Sequence, residues 1–154
     1  MSWSRKKRDA RMFLLGRRWW IPVAGALVTV VYNMAMILLG SQGVDFGSFG
    51  YLGGLLGGLA AGGLRGTNWM DGATDGLRAA AYGTVTTGVI AALGGFAIWY
   101  LTSGVPFVFT SFMYAMIGLI FFTPVFGFLG AIAGAVAVLV RRAVVPREYN
   151  PPTQ

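Results

Sequence analysis

The sequence predicts an all-α integral membrane protein, a four-helix transmembrane bundle with both chain ends on one side of the membrane. Three observations predict it. Only 11% of the 154 residues are charged and 56% are hydrophobic, whereas a soluble domain carries about 25% charged residues to cover its surface. Long stretches contain no charge at all. The basic residues fall in clusters that an even number of crossings collects on one face.

The chain divides into a basic arm (1–18), a membrane domain (19–142) and a short tail (143–154). Residues 19–39 are free of charge, and 21 residues of helix rise about 31 Å, enough to cross a hydrocarbon core of about 30 Å. Trp19 and Trp20 follow Arg17 and Arg18, the order expected at a membrane interface. A cleaved leader also opens basic and turns apolar, but this run is too long and no A-x-A-like site closes it.

Residues 40–48 read as a turn with one charge, Asp45. A short, glycine-rich second span is expected at 49–64. Residues 65–78, RGTNWMDGATDGLR, read as the strongly polar internal loop, and a third span follows at 79–101, anchored by Trp99 and Tyr100. Residues 102–111 contain Gly104 and Pro106 and no charge. The stretch 112–140 is charge-free and, at about 43 Å of helix, longer than an upright span needs. It fits one tilted helix kinked at Pro124, a re-entrant or interfacial piece over 105–122 before a span, or two spans.

Charge placement favours four spans. Of the twelve Lys and Arg, seven lie in the arm, two are Arg65 and Arg78, and three are Arg141, Arg142 and Arg147. Four spans put all of them on one side, and a fifth would move the last three across. FGYLGGLLGGLAA from Phe49 also resembles FGFLGAIAGAVAV from Phe126. The bundle can therefore be read as two repeated hairpins related by an axis along the membrane normal, or as two small-residue helices alike by composition.

The sharpest local pattern is a glycine ladder. Gly50, Gly54, Gly58 and Gly62 recur every four residues, with Gly53, Gly57 and Ala61 in the adjacent row. Residues four apart share a helix face, and a face without side chains lets another backbone approach closely. Gly127, Gly130, Ala131, Gly134 and Ala135 in the fourth span and Gly88, Ala92 and Gly95 in the third also offer small-residue surfaces, so these three helices are expected to pack together. Packing within the chain is the plain reading, and a homo-oligomer contact the alternative. A phosphate-cradling loop is excluded, since no strand precedes these glycines.

The absence of cysteine and histidine removes disulfides, thiol nucleophiles and imidazole chemistry. The segment around Asn68, Asp71, Thr74 and Asp75 does not have calcium-loop spacing. Thr74 or Asp75 is expected to cap the third helix, with Arg65 and Arg78 pairing to the carboxylates. No charged residue falls inside the spans as drawn, which weighs against ion-coupled transport. Thr29, Asn33, Thr84, Thr86, Thr87 and Thr123, with the tyrosines, are expected to bond between helices or to backbone. No catalytic, cofactor-binding or metal-binding residue is predicted, and the chain is not read as an enzyme.

In the arm, Arg5, Lys6, Lys7, Arg8 and Arg11 stand among Trp3, Met12, Phe13 and Leu14. This is the composition of an interfacial segment that meets anionic lipid. Nucleic acid on the inner face is the weaker alternative, because arginine and tryptophan also serve phosphate contact and stacking.

The stretches IPVAGALVTVV, GGLLGGLAAGGLRG and DGATDGLRAAAYGTVTTGVIAAL, over 21–93, resemble a family of small glycine-rich membrane proteins of halophilic archaea. Asp75-Gly76-Leu77-Arg78 fits its pattern, while Ala80 and Ala81 stand where that pattern has a glycine. In size, span count and charge the chain is also similar to the small internal membrane proteins of pleomorphic enveloped viruses of such archaea. That likeness implies a structural protein lining the inner leaflet of an envelope. The functions expected are thus a structural or organising membrane protein, a small passive pore or transporter, or an accessory subunit of a larger membrane complex.

Overall fold

The computed structural model describes residues 19–43, 52–65, 68–103 and 108–144. These form four α-helices: α1 (Trp20–Ser41), α2 (Gly53–Arg65), α3 (Trp69–Ser103) and α4 (Val108–Val144). Among the described residues there is no strand. Three helices, α1, α3 and α4, are long and apolar enough to cross a membrane. The described part of α2 has 13 residues, or about 20 Å, short of a hydrocarbon core of about 30 Å.

The helices alternate in direction. Thr29 on α1 sits at the Gly53 carbonyl and against Gly83, and Gly25 sits against Ala61 and Ala79. Ascending numbers on α1 thus meet descending numbers on α2 and ascending numbers on α3. Gly54, Gly58 and Gly62 on α2 face Phe126, Gly130 and Gly134 on α4, so α2 and α4 run parallel. Gly72, Gly76 and Gly88 on α3 meet Gly134, Gly130 and Leu119, so α3 and α4 run antiparallel. Helices α2 and α3 pack against all the others. The start of α1, the end of α2, the start of α3 and the end of α4 therefore gather at one end of the bundle, where Ile21, Ala61 and Ala79 form a buried cluster.

Glycine sets how close the helices come. A Cβ on Gly25 would lie 2.6 Å from the Gly57 carbonyl oxygen and 2.7 Å from the Ala79 Cβ. A Cβ on Gly62 would lie 2.6 Å from the Gly134 Cα. In lipid, apolar burial gives no drive, so such backbone contacts supply the dispersion that holds the helices together. The outward faces carry large apolar side chains, among them Leu27, Leu38, Leu93, Ile120 and Phe121. Exposure on this scale suits lipid, not water.

Two expectations change. Residues 69–78 are not a loop: α3 begins at Trp69, and its first ten residues are helical. Two glycines and two aspartates made this stretch look like a turn, but Gly72 and Gly76 are small because α4 passes there, and that contact outweighs their poor helix propensity. The cap is also not Thr74 or Asp75. The Asn68 side-chain oxygen accepts from the Met70 N–H at 3.4 Å, and its carbonyl accepts the first helical bond from Gly72 at 2.9 Å. Thr74 instead donates back to the Asp71 carbonyl at 3.0 Å. Of the readings for 112–140, the described backbone follows a single helix that continues through Pro124. A four-span count is not reached by the described helices. At the other end of α1, Gly43 takes a positive φ of 83° and donates to the Gly40 carbonyl, a left-handed helix stop.

Candidate functional site

Every charged residue among the described ones lies at the end where α1 starts and α4 finishes: Arg65, Asp71, Asp75, Arg78, Arg141 and Arg142. At its centre is Asp75, two turns into α3 and only 1% exposed. A carboxylate removed from solvent costs several kcal/mol unless it is paired and hydrogen-bonded. Arg65, the last residue of α2, donates to Asp75 Oδ2 at 2.8 Å. Arg78, one turn further along α3, approaches Asp75 Oδ1 at 3.5 Å. Both carboxylate oxygens thus face a guanidinium, and the pair joins α2 to α3.

Two further contacts complete the cluster. Arg65 also lies 3.5 Å from Asp71, whose side chain is half exposed. Arg141 donates to the Gly63 carbonyl, which ties α4 to the end of α2. That carbonyl belongs to the last turn of α2, the negative end of the helix dipole, where a cation is favourable. Exposed Trp19, Trp20 and Trp69 surround this end with indole rings, the composition of a membrane–water boundary.

Along the bundle axis a second polar line joins α1 to its neighbours. The Thr29 hydroxyl is fully buried and lies within hydrogen-bonding distance of the Gly25 carbonyl (3.2 Å) and the Gly53 carbonyl (3.1 Å). Asn33 Nδ2 donates to Thr87 Oγ1 at 3.4 Å. Thr29→Val keeps the volume and removes the donor, so it should cost about 1 kcal/mol. A fall of a few degrees in the thermal midpoint in detergent would be the readout; an unchanged midpoint would mean that the hydroxyl does not hold α2 to α1.

Of the ladder residues named from the sequence, Gly54, Gly58 and Gly62 line one face of α2 and meet α4, with Gly130 and Gly134 opposite the last two. Gly50 lies outside the described residues, as do Arg5, Lys6, Lys7, Arg8 and Arg11. The burial of Asp75 was missed, because 65–78 read as a loop and no charge was placed inside a helix pair. A signal for it existed: Gly72, Gly76 and Ala80 are four apart and continue the small-residue face back across the supposed loop. Among the described residues no group of three or more acidic side chains gathers as a metal site would require. The cluster neutralises charge and joins helix ends. No protein-family model, curated protein or solved structure matches the chain.

Proposed function

We propose that this chain is a structural or organising integral membrane protein with four spans, its basic end on the inner side of a cell membrane or viral envelope. The observation that carries the reading is the segregation of charge: every described Arg and Asp lies at one end of the bundle, and the outward faces beyond it are apolar. The arm joins α1 at that same end. In this reading Arg5, Lys6, Lys7, Arg8 and Arg11 meet anionic headgroups, each worth about 1 kcal/mol near such a surface. The positive-inside bias supports a cytoplasmic or internal location for that end. No catalytic role is assigned. The likeness to internal membrane proteins of enveloped archaeal viruses belongs to this reading. Nucleic acid on the inner face is its weaker variant.

One alternative has an observation of its own. Among the described residues, a Cβ added at Gly94 or Gly95 on α3 would meet nothing within 4 Å, a small-residue surface on the half of α3 far from the charged end. That favours an accessory subunit or homo-oligomer over a passive pore, since small residues let another helix approach.

Reconstitution tests the proposal. With single cysteines at Ser2, Met70 and Asn150 in this cysteine-free chain, all three positions should react with an impermeant thiol reagent from the same side of the vesicle. The vesicles should also stay as tight to small ions as empty ones. Labelling from opposite sides would remove the four-span topology, and ion flux above background would replace the structural reading with the pore.

A further inference from the structure

Polar side chains gather halfway along the bundle. Thr29 on α1 meets Gly83 on α3, and Asn33, one turn on, donates to Thr87. Thr84 lies at the same level, about 14 Å of helix beyond Asp75.

The rows around Thr84 fix what it faces. Gly88 on α3 meets Leu119 on α4, and Ala80 meets Gly130. Residues four apart share a helix face, so Thr84, between Ala80 and Gly88, is turned toward α4. On α4, Gly127 lies at contact distance from Ala81, and Thr123 stands between Leu119 and Gly127 on the face toward α3. The two helices are antiparallel, and the contacts Gly88–Leu119 and Ala81–Gly127 bracket Thr84 and Thr123. The two threonines therefore stand opposite each other.

Neither hydroxyl makes a hydrogen bond among the described residues. Thr84 is nonetheless only 9% exposed, and Thr123 is half-buried. Thr29 shows the ordinary remedy, lying at the carbonyl four residues earlier. Thr84 does not use that of Ala80. A hydroxyl at this depth has no bulk water to bond, and burial without a partner is costly. Pro124, the residue after Thr123, adds an acceptor to the same stretch of α4. It has no N–H, so the Ile120 carbonyl loses its i+4 donor.

We propose that α3 and α4 hold one internal water at this level, shared by the Thr84 and Thr123 hydroxyls beside the carbonyl that Pro124 frees. The chemistry selects water. Each hydroxyl needs an acceptor for its proton, which a metal cation does not offer. No charged side chain among the described residues lies at this level to balance an ion. Water both accepts and donates, and a buried water keeps about two to four polar partners. Ordered waters are also one way in which membrane helices containing proline satisfy freed backbone groups.

Proton-detected solid-state NMR of the full chain in lipid bilayers reads the water directly. Magnetisation transfer from water should reach the side chains of Thr84 and Thr123. It should not reach Val85 or Val125, which are exposed on the outward faces at the same depth. Thr84→Val keeps the volume and removes the hydroxyl, so transfer to Thr123 should fall several-fold, whereas Thr84→Ser should retain it. The thermal midpoint of Thr84→Val should also drop by a few degrees. Absence of transfer to both threonines in the parent chain overturns the proposal. Equal transfer to the two valines overturns it as well, because that is general wetting of the bundle. Undiminished transfer to Thr123 in Thr84→Val removes the shared water. A Thr84→Val midpoint at or above the parent's counts equally against it, since deleting an orphan hydroxyl relieves a cost. If Thr84→Val does not give monodisperse protein, Thr123→Val is read at Thr84 with the same expected loss, and undiminished transfer there sinks the proposal.

Discussion

Gly130→Leu is expected to give the largest loss of stability of any single substitution in this chain. Gly130 sits where three helices meet: a Cβ there would lie 2.6 Å from the Gly76 carbonyl oxygen and 3.3 Å from that of Gly54, and would also strike the Ala80 Cβ. Its neighbours on α2 and α3 are backbone or alanine, so no flexible side chain can move aside. Overpacking costs about 1–3 kcal/mol at an ordinary core site. Here the added side chain must open α3–α4 and α2–α4 together, so the expected loss is about 3 kcal/mol or more. The measurement is thermal unfolding in mild detergent, with size exclusion to follow aggregation. Gly94→Leu is the control, since nothing lies within 4 Å of its added Cβ, and its midpoint should stay within a degree or two of the parent. Equal midpoints for both variants would refute the glycine junction as the centre of packing.

Asp75→Ala is expected to follow it closely. The substitution leaves Arg65 and Arg78 without their shared carboxylate. Breaking a buried pair by removing one partner costs about 3–5 kcal/mol. Both arginines keep some exposure, 18% and 26% of their side chains, and can turn toward headgroups or water, so about 2–4 kcal/mol is expected. Asp71→Ala provides the contrast. Its carboxylate is 45% exposed and lies 3.5 Å from Arg65, so its removal should cost about 0–1 kcal/mol. Two variants with similar midpoints would mean that burial of Asp75 adds nothing to the pair. Combining Asp75→Ala with Arg65→Gln should cost less than the two losses summed, because the second change removes a charge that the first left unpaired.

Helical class, membrane residence and the approximate bounds of α1 were legible from residue chemistry alone. A charge-free run such as 19–39 admits few other readings, because its length and composition match the hydrocarbon core. The glycine ladder was legible as well, since a period of four on a helix is a property of one element. What could not be read is the partner of each face. Gly58 meets Gly130, and Gly72 meets Gly134, contacts between residues more than sixty apart in sequence, and glycine carries no side chain whose shape or charge selects an opposite number.

Asp75 draws the line between the two kinds of information most clearly. By composition, Asp71, Gly72, Asp75 and Gly76 are turn residues, and local propensity places them in a loop. The tertiary structure decides otherwise: α4 passes against Gly72 and Gly76, which makes their missing side chains a packing requirement and carries the helix back to Trp69. Once that helix forms, Asp75 is turned into the bundle, and only the arrival of Arg65 from the end of α2 makes its burial tolerable. Periodicity and charge, which act along one element, were therefore determined by the sequence by itself. The pairing of faces and the burial of a charge depend on a neighbour distant in the chain, and only the tertiary structure decided them.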